Sequence, residues 1–273
     1  MISRRDDTNV DNEKRGKLLL VAALISLMMF LFKVSQMQTQ TLIWSVYIHA
    51  ALYALVAFVG LLWAFNFQVK KKSFLYLFQA SLFIFAEVLF VELFFFQKFS
   101  RIYEAIILLI LIFLIFLGNY FVFLMTNVFN VSLYKQIPLM QVGRTVSYLA
   151  SVFMIYFFTF SLLVSGFAPY ITIPAIVLAY IVVTLLHYTN IDVVGGELVR
   201  KVGITVLIMV LLLLSVVFSG NIHEIISFAP VVGYFLSVSI VTHERISNGI
   251  VRRIPAYMVI LSIIMIMILM FAR

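Results

Sequence analysis

From Leu18 to Phe271 the chain is a succession of long apolar runs divided by short polar connections. The runs are Leu18–Phe32, Leu42–Phe67, Phe74–Phe96, Ile106–Leu124, Val146–Phe167, Ile171–Leu186, Val202–Phe218, Ile226–Val241 and Ile254–Phe271. A helix needs ~20 apolar residues to cross the hydrocarbon of a bilayer. In that medium each backbone polar group must find an internal partner, which open strands cannot supply. The runs also lack the strict alternation of a membrane β-barrel strand. The sequence therefore predicts an all-α, polytopic transmembrane helix bundle of about nine spans. Its eighth run is short and carries Pro230 and Gly233, so eight spans is the alternative.

Composition agrees. Of the 273 residues, 64% are hydrophobic and 11% charged, against roughly 45–50% and about 25% in an ordinary soluble domain. Mean hydropathy is +1.16. A soluble globule could not cover so much apolar surface with so few polar groups. Residues 1–17 are polar and mixed in charge and read as a disordered cytoplasmic tail. Residues 18–273 read as one transmembrane domain, with no room for a separate catalytic domain. The first run has lysines at both ends (Lys17, Lys33) and no small-x-small cleavage signal after it, so it reads as a retained anchor.

The chain has no cysteine, which excludes disulfides, thiolate metal sites, iron–sulfur ligation and a cysteine nucleophile. No Walker A loop, GxSxG elbow, HExxH pair or Asp-rich prenyl-diphosphate motif occurs. No cofactor, metal site or catalytic set is expected, and enzymatic activity is not the favoured reading. The net charge of +8 comes from residues scattered between runs rather than from a basic arm. Its expected partners are the bilayer and its anionic headgroups, with protein partners in the membrane also possible, and not nucleic acid.

Charge placement sets the sidedness. With the N-terminus cytoplasmic, 15 Lys and Arg fall inside and 4 outside, as the positive-inside rule requires. Omitting the eighth span would put Arg245, Arg252 and Arg253 outside. On this topology the sequon Asn130-Val131-Ser132 faces the cytoplasm and is discounted. Trp44, Tyr103 and Tyr170 read as interface anchors.

Two short matches hint at a hairpin repeat, 142–190 against 202–246. Val142-Gly143-Arg144-Thr145-Val146 resembles Val202-Gly203-Ile204-Thr205-Val206, and Phe167-Ala168-Pro169 recurs as Phe228-Ala229-Pro230. In so biased a composition, chance supplies such matches too.

Ionisable groups inside a membrane default to a functional hypothesis. The third run holds Glu87 near its centre, Glu92 further out, and Gln79 toward the cytoplasm. The second run returns beside it, which puts His49 level with Glu92 and Tyr53 level with Glu87. His49 and Tyr53 share a face as i and i+4, whereas Glu87 and Glu92 diverge by ~140°. One pair is then expected to meet while the other glutamate faces a different helix. The functional reading is a proton- or cation-handling site. The structural readings are a polar clamp on the hairpin, or a protonated glutamate in one interhelical hydrogen bond. Gly118-Asn119 in the fourth run reads as a point of close helix approach.

A second group collects at the cytoplasmic rim: Arg144, His187, Arg200, Lys201, His243, Arg245, Arg252 and Arg253, with Asp192, Glu197 and Glu244. The plain reading is a headgroup-facing surface. The sharper one is lipid-phosphate binding, or transfer on a lipid-linked substrate with His187 or His243 as base.

Asn127-Val128-Phe129-Asn130-Val131 and Ile137-Pro138-Leu139, ahead of Arg144-Thr145-Val146, carry a resemblance that extends loosely to the C-terminus. The chain resembles an uncharacterised family of polytopic membrane proteins of ultrasmall bacteria with reduced genomes. The resemblance implies a bacterial inner-membrane location and contributes no site residue. Three functional readings follow: a small-molecule or ion transport or binding protein, a non-catalytic subunit or scaffold, and an intramembrane enzyme.

Overall fold

In the computed structural model, residues 3–35, 42–69, 71–94, 102–132, 140–217 and 223–242 are described. They form eight helices and, among the described residues, no strand. These are α1 (Ser3–Ser35), α2 (Ile43–Ala64), α3 (Lys71–Phe94), α4 (Ile102–Ser132), α5 (Met140–Val164), α6 (Pro169–Asn190), α7 (Gly196–Val217) and α8 (His223–Thr242). The fold is all-α. Seven of the helices, α1 to α7, are long and apolar enough to cross a membrane. α8 is apolar over a shorter stretch, with Pro230 inside it. The run Ile254–Phe271 lies outside the described residues.

One expectation is corrected at the start of the chain. The stretch read as a disordered tail is helical from Ser3 and continuous with the first span. Glu13 and Lys17, four residues apart, pair at 2.7 Å and support that turn. Lys17 also reaches Asn66 Oδ1 at 2.8 Å and lies over the Trp63 ring at 5.3 Å. Its cation thus ties α1 to the turn that ends α2.

The chain divides into two compact units, residues 1–150 and 151–273, with the division inside α5. In the first unit α3 is the most enclosed span. α2 and α4 pack on α3, and α1 packs on α4 and α2. α2 buries Val46, Ala50, Tyr53, Ala57, Leu61 and Ala64, a stripe at three- and four-residue spacing. Small residues let backbones approach where lipid supplies no hydrophobic drive. At Gly60, for example, an added Cβ would stand 2.8 Å from Val21 Cγ1 of α1. The α2–α3 turn is tight: Asn66 and Phe67 both take positive φ, 52° and 57°, and the Phe67 N–H donates to Leu62 O at 2.9 Å.

In the second unit α7 packs on both α6 and α8. The Gly233 site of α8 lies against the α7 backbone, where a Cβ would meet Met209 Cα at 3.0 Å. The repeated tripeptide occupies unlike places. Ala168 caps α6 with Pro169 in its first turn, where a missing N–H is harmless, whereas Pro230 lies within α8.

Candidate functional site

α3 carries a ladder of buried polar residues, and each rung faces a particular neighbour. Near the start of the helix, Ser73 Oγ donates to Asn130 Oδ1 of α4 at 2.6 Å. Gln79, fully buried, exchanges bonds with Ser147 of α5: Nε2 donates to Oγ at 3.1 Å, and Oγ donates back to Oε1 at 3.3 Å. Glu87 faces α4, where a Cβ on Gly118 would stand 3.9 Å from its Oε1. Glu92 reaches α2, with Oε2 4.0 Å from His49 Nδ1. Buried polar groups in hydrocarbon must be satisfied between helices, and that requirement fixes the rotation of α3 about its own axis.

The two glutamates have unlike surroundings. The Glu92 carboxylate is 9% exposed and the His49 side chain 25%, and the Phe32 ring of α1 meets the imidazole edge-on at 4.4 Å. Tyr53 lies one turn further along the same face of α2 as His49, the face that Glu92 reaches. Helix rotation decides it: His49 and Tyr53 share one face of α2, and only one glutamate of α3 can turn to that face. Glu87, 5% exposed, is turned to α4, where Asn119 is the polar side chain that acts on it.

Asn119 is the residue that sequence reasoning missed as a partner. It registered only as a point of close approach beside Gly118, although an amide in mid-run is itself a sign of a buried polar contact. Ser73, Asn130 and Ser147 were missed for the same reason. The burial of Asn130 and its bond to Ser73 also leave its sequon inaccessible.

The rim set separates. Arg200 is exposed and Arg144 half-buried. His187 and Lys201 are enclosed, each 4% exposed. His187 lies among aromatic rings, edge-on to Tyr188 at 5.3 Å and to Tyr234 of α8 at 5.6 Å. It turns inward because α6 buries that face against its neighbours, so it is not offered as a base to a substrate at headgroup level. Lys201 pairs with Glu197 at 2.6 Å. His243, Arg245, Arg252 and Arg253 lie outside the described residues.

Among the described residues no group of three or more His, Asp or Glu could hold a metal ion. An apolar groove of about 560 Å³ runs between α1 and α4, lined by Ser26, Phe30, Leu109 and Phe113 among others. Glu87 is not part of it.

The fold and these contacts define a multi-pass helical membrane protein with carboxyl groups inside its first unit. The chain matches no protein-family model, no curated protein and no solved structure.

Proposed function

We propose that this is a membrane-embedded transport or binding protein for a small molecule or ion, with Glu87, Glu92 and His49 as its ion-handling groups. One observation carries the reading. Glu87 is buried at mid-span, with no ion pair among the described residues and a carboxyl oxygen, Oε2, that lacks any partner. Membrane helices rarely keep such a group without use, because hydrocarbon charges several kcal/mol for it. His49 and Glu92 add a titratable pair that is partly open.

Flux across proteoliposomes tests it. The Glu87→Gln and Glu92→Gln variants keep side-chain volume and remove the acid. Flux in both is expected to fall to the background of protein-free vesicles. Unchanged, equally pH-dependent flux in both would remove the reading.

The orientation and address belong to the same proposal: nine spans, an N-terminus in the cytoplasm, a bacterial inner membrane, and anionic headgroups around Arg144, Arg200 and the basic residues from Arg245 onward. The 15-to-4 charge split supports this. Single cysteines are clean reporters in a chain that has none. A thiol at Arg200 should be protected from impermeant reagents in sealed right-side-out vesicles, and labelling there would reverse the topology.

A second reading, a non-catalytic subunit or scaffold that binds lipid or protein partners, is favoured by the apolar α1–α4 groove, where the Ser26 hydroxyl is buried without a partner. Isolation in mild detergent as a lone monomer free of lipid and protein would exclude it.

A further inference from the structure

Glu87 and Asn119 share a deficit that a single proton removes. Among the described residues, Glu87 Oε2 and both amide atoms of Asn119, Oδ1 and Nδ2, are buried and have no hydrogen-bond partner. The two residues sit on adjacent helices, and Asn119 is fully buried. Gly118 puts no side chain of its own against the carboxyl, whose Oε1 would stand 3.9 Å from a Cβ there. An unsatisfied buried polar group is unfavourable, so three on two neighbouring side chains call for an account.

The donor inventory supplies it. An ionised carboxylate only accepts, and an amide has one accepting oxygen and a donating NH2. With Glu87 ionised, Asn119 Nδ2 can donate to the carboxylate, but Asn119 Oδ1 then faces an acceptor and stays unpaired. With Glu87 neutral, Oε2–H donates to Oδ1 while Nδ2–H donates to Oε1. That closed ring satisfies all three orphaned atoms. Closing it asks for rotation about the terminal torsions of the two side chains, which are broad.

A metal ion fits less well. Divalent cations want six or more oxygens, while this contact offers one carboxylate and one amide oxygen, and a metal would leave the Nδ2 donors facing a cation.

We propose that Glu87 and Asn119 form a proton-binding site between α3 and α4, closed by a neutral carboxyl and a carboxamide, and that H⁺ is the ion this cluster handles. The proposal rests on the transport or binding reading above and names its ion. Loading converts the Glu87 carboxylate and hydronium to the carboxylic acid and water; release is the reverse and leaves Asn119 Oδ1 unpaired, which loosens the α3–α4 contact.

The described titratable or charged groups on the helices packed against α3 are His49, Tyr47 and Tyr53 of α2, Tyr120 of α4, and Arg144 and Tyr148 in the first part of α5. α3 itself adds Tyr76 and Glu92. The influences on the Glu87 carboxyl are its own burial and Asn119, not a charge from any of these.

Infrared difference spectroscopy on the full chain in lipid nanodiscs tests the site. At neutral pH the C=O stretch of a neutral carboxylic acid is expected, lost in Glu87→Gln, retained in Glu92→Gln, and moved to higher frequency in Asn119→Leu, where the ring cannot close. Absence of such a band, or its persistence in Glu87→Gln, overturns the site. A band indifferent to Asn119→Leu overturns the closed pair. If Glu87→Gln fails to fold, carbon-13 labelling of glutamate assigns the band in the unaltered chain and in Asn119→Leu.

Proton flux into dye-loaded proteoliposomes separates this inference from the reading beneath it. Solute flux lost in Glu87→Gln with no carboxylic band removes the proton and leaves the transporter. A band together with flux unaffected by Glu87→Gln removes Glu87 from the transport path and leaves the proton site.

Discussion

The helices around α3 and those around α7 face the same task, holding apolar helices together where lipid gives no hydrophobic drive, and they meet it with different chemistry. Around α3 the contacts use carboxyls, amides and an imidazole: Glu92 with His49, Glu87 beside Asn119, and Gln79 with Ser147. In the second unit the interhelical contacts include neutral hydroxyl pairs. Thr159 and Tyr180 meet at 2.8 Å, as do Tyr188 and Thr205. A described ion pair there, Lys201 with Glu197, lies within the opening turns of α7. Hydroxyl pairs are satisfied and inert, and they hold helices in register. Buried carboxyls can change charge, so the first unit is where a function that needs an exchangeable ion would reside.

The largest expected effect tests that division directly. Glu87→Gln should abolish flux, while His187→Phe, in an aromatic setting beside Tyr188 and Tyr234, should leave it intact. Measured side by side in proteoliposomes, a loss in His187→Phe equal to that in Glu87→Gln would break the contrast.

Two stability changes sharpen it. Glu197→Ala strands the buried Lys201 ammonium and should destabilise the second unit by about 1–3 kcal/mol, with relief in the double variant Glu197→Ala/Lys201→Met; thermal unfolding in detergent reads both. Two glycine contacts, Gly118 and Gly233, differ in kind. Gly233→Val presses a side chain onto the α7 backbone, and overpacking of that sort is unfavourable by about 1–3 kcal/mol. Gly118→Ala meets Glu87 at ordinary van der Waals distance and should unfold at nearly the native temperature. A Gly118→Ala protein as unstable as Gly233→Val would show that the α3–α4 contact is tighter than described.

Smaller effects are expected from the hydroxyl pairs. Thr159→Val removes one interhelical bond, of a kind that averages about 0.6 kcal/mol in membranes. Arg200→Gln, on an exposed side chain, should stay within about 0.5 kcal/mol and act, if at all, on the binding of anionic vesicles.

Much of the architecture was legible in the sequence because hydrocarbon enforces one backbone solution. Runs such as Leu42–Phe67 and Phe74–Phe96 had to be helices, and α2 and α3 fall within them. The candidate carboxyls were legible for the same reason, since Glu87 and Glu92 interrupt apolar sequence. The helical start of the chain was not, because residues 3–17 carry no apolar run, and the helix there extends a span whose own register is already set.

What sequence could not decide was rotation. Residue spacing fixes that Glu87 and Glu92 diverge about α3, but not which of them turns to α2. Packing gave Glu92 to His49 and Glu87 to Asn119, because a helix in a bundle takes one orientation for all its buried polar groups at once. His187 and Lys201 tell the same story: both sit at the ends of apolar runs, where sequence suggests a surface, and both turn inward because their neighbours close over them. Solvent dictated the helices; only the contacts among them decided which polar atoms meet and which are left unpaired.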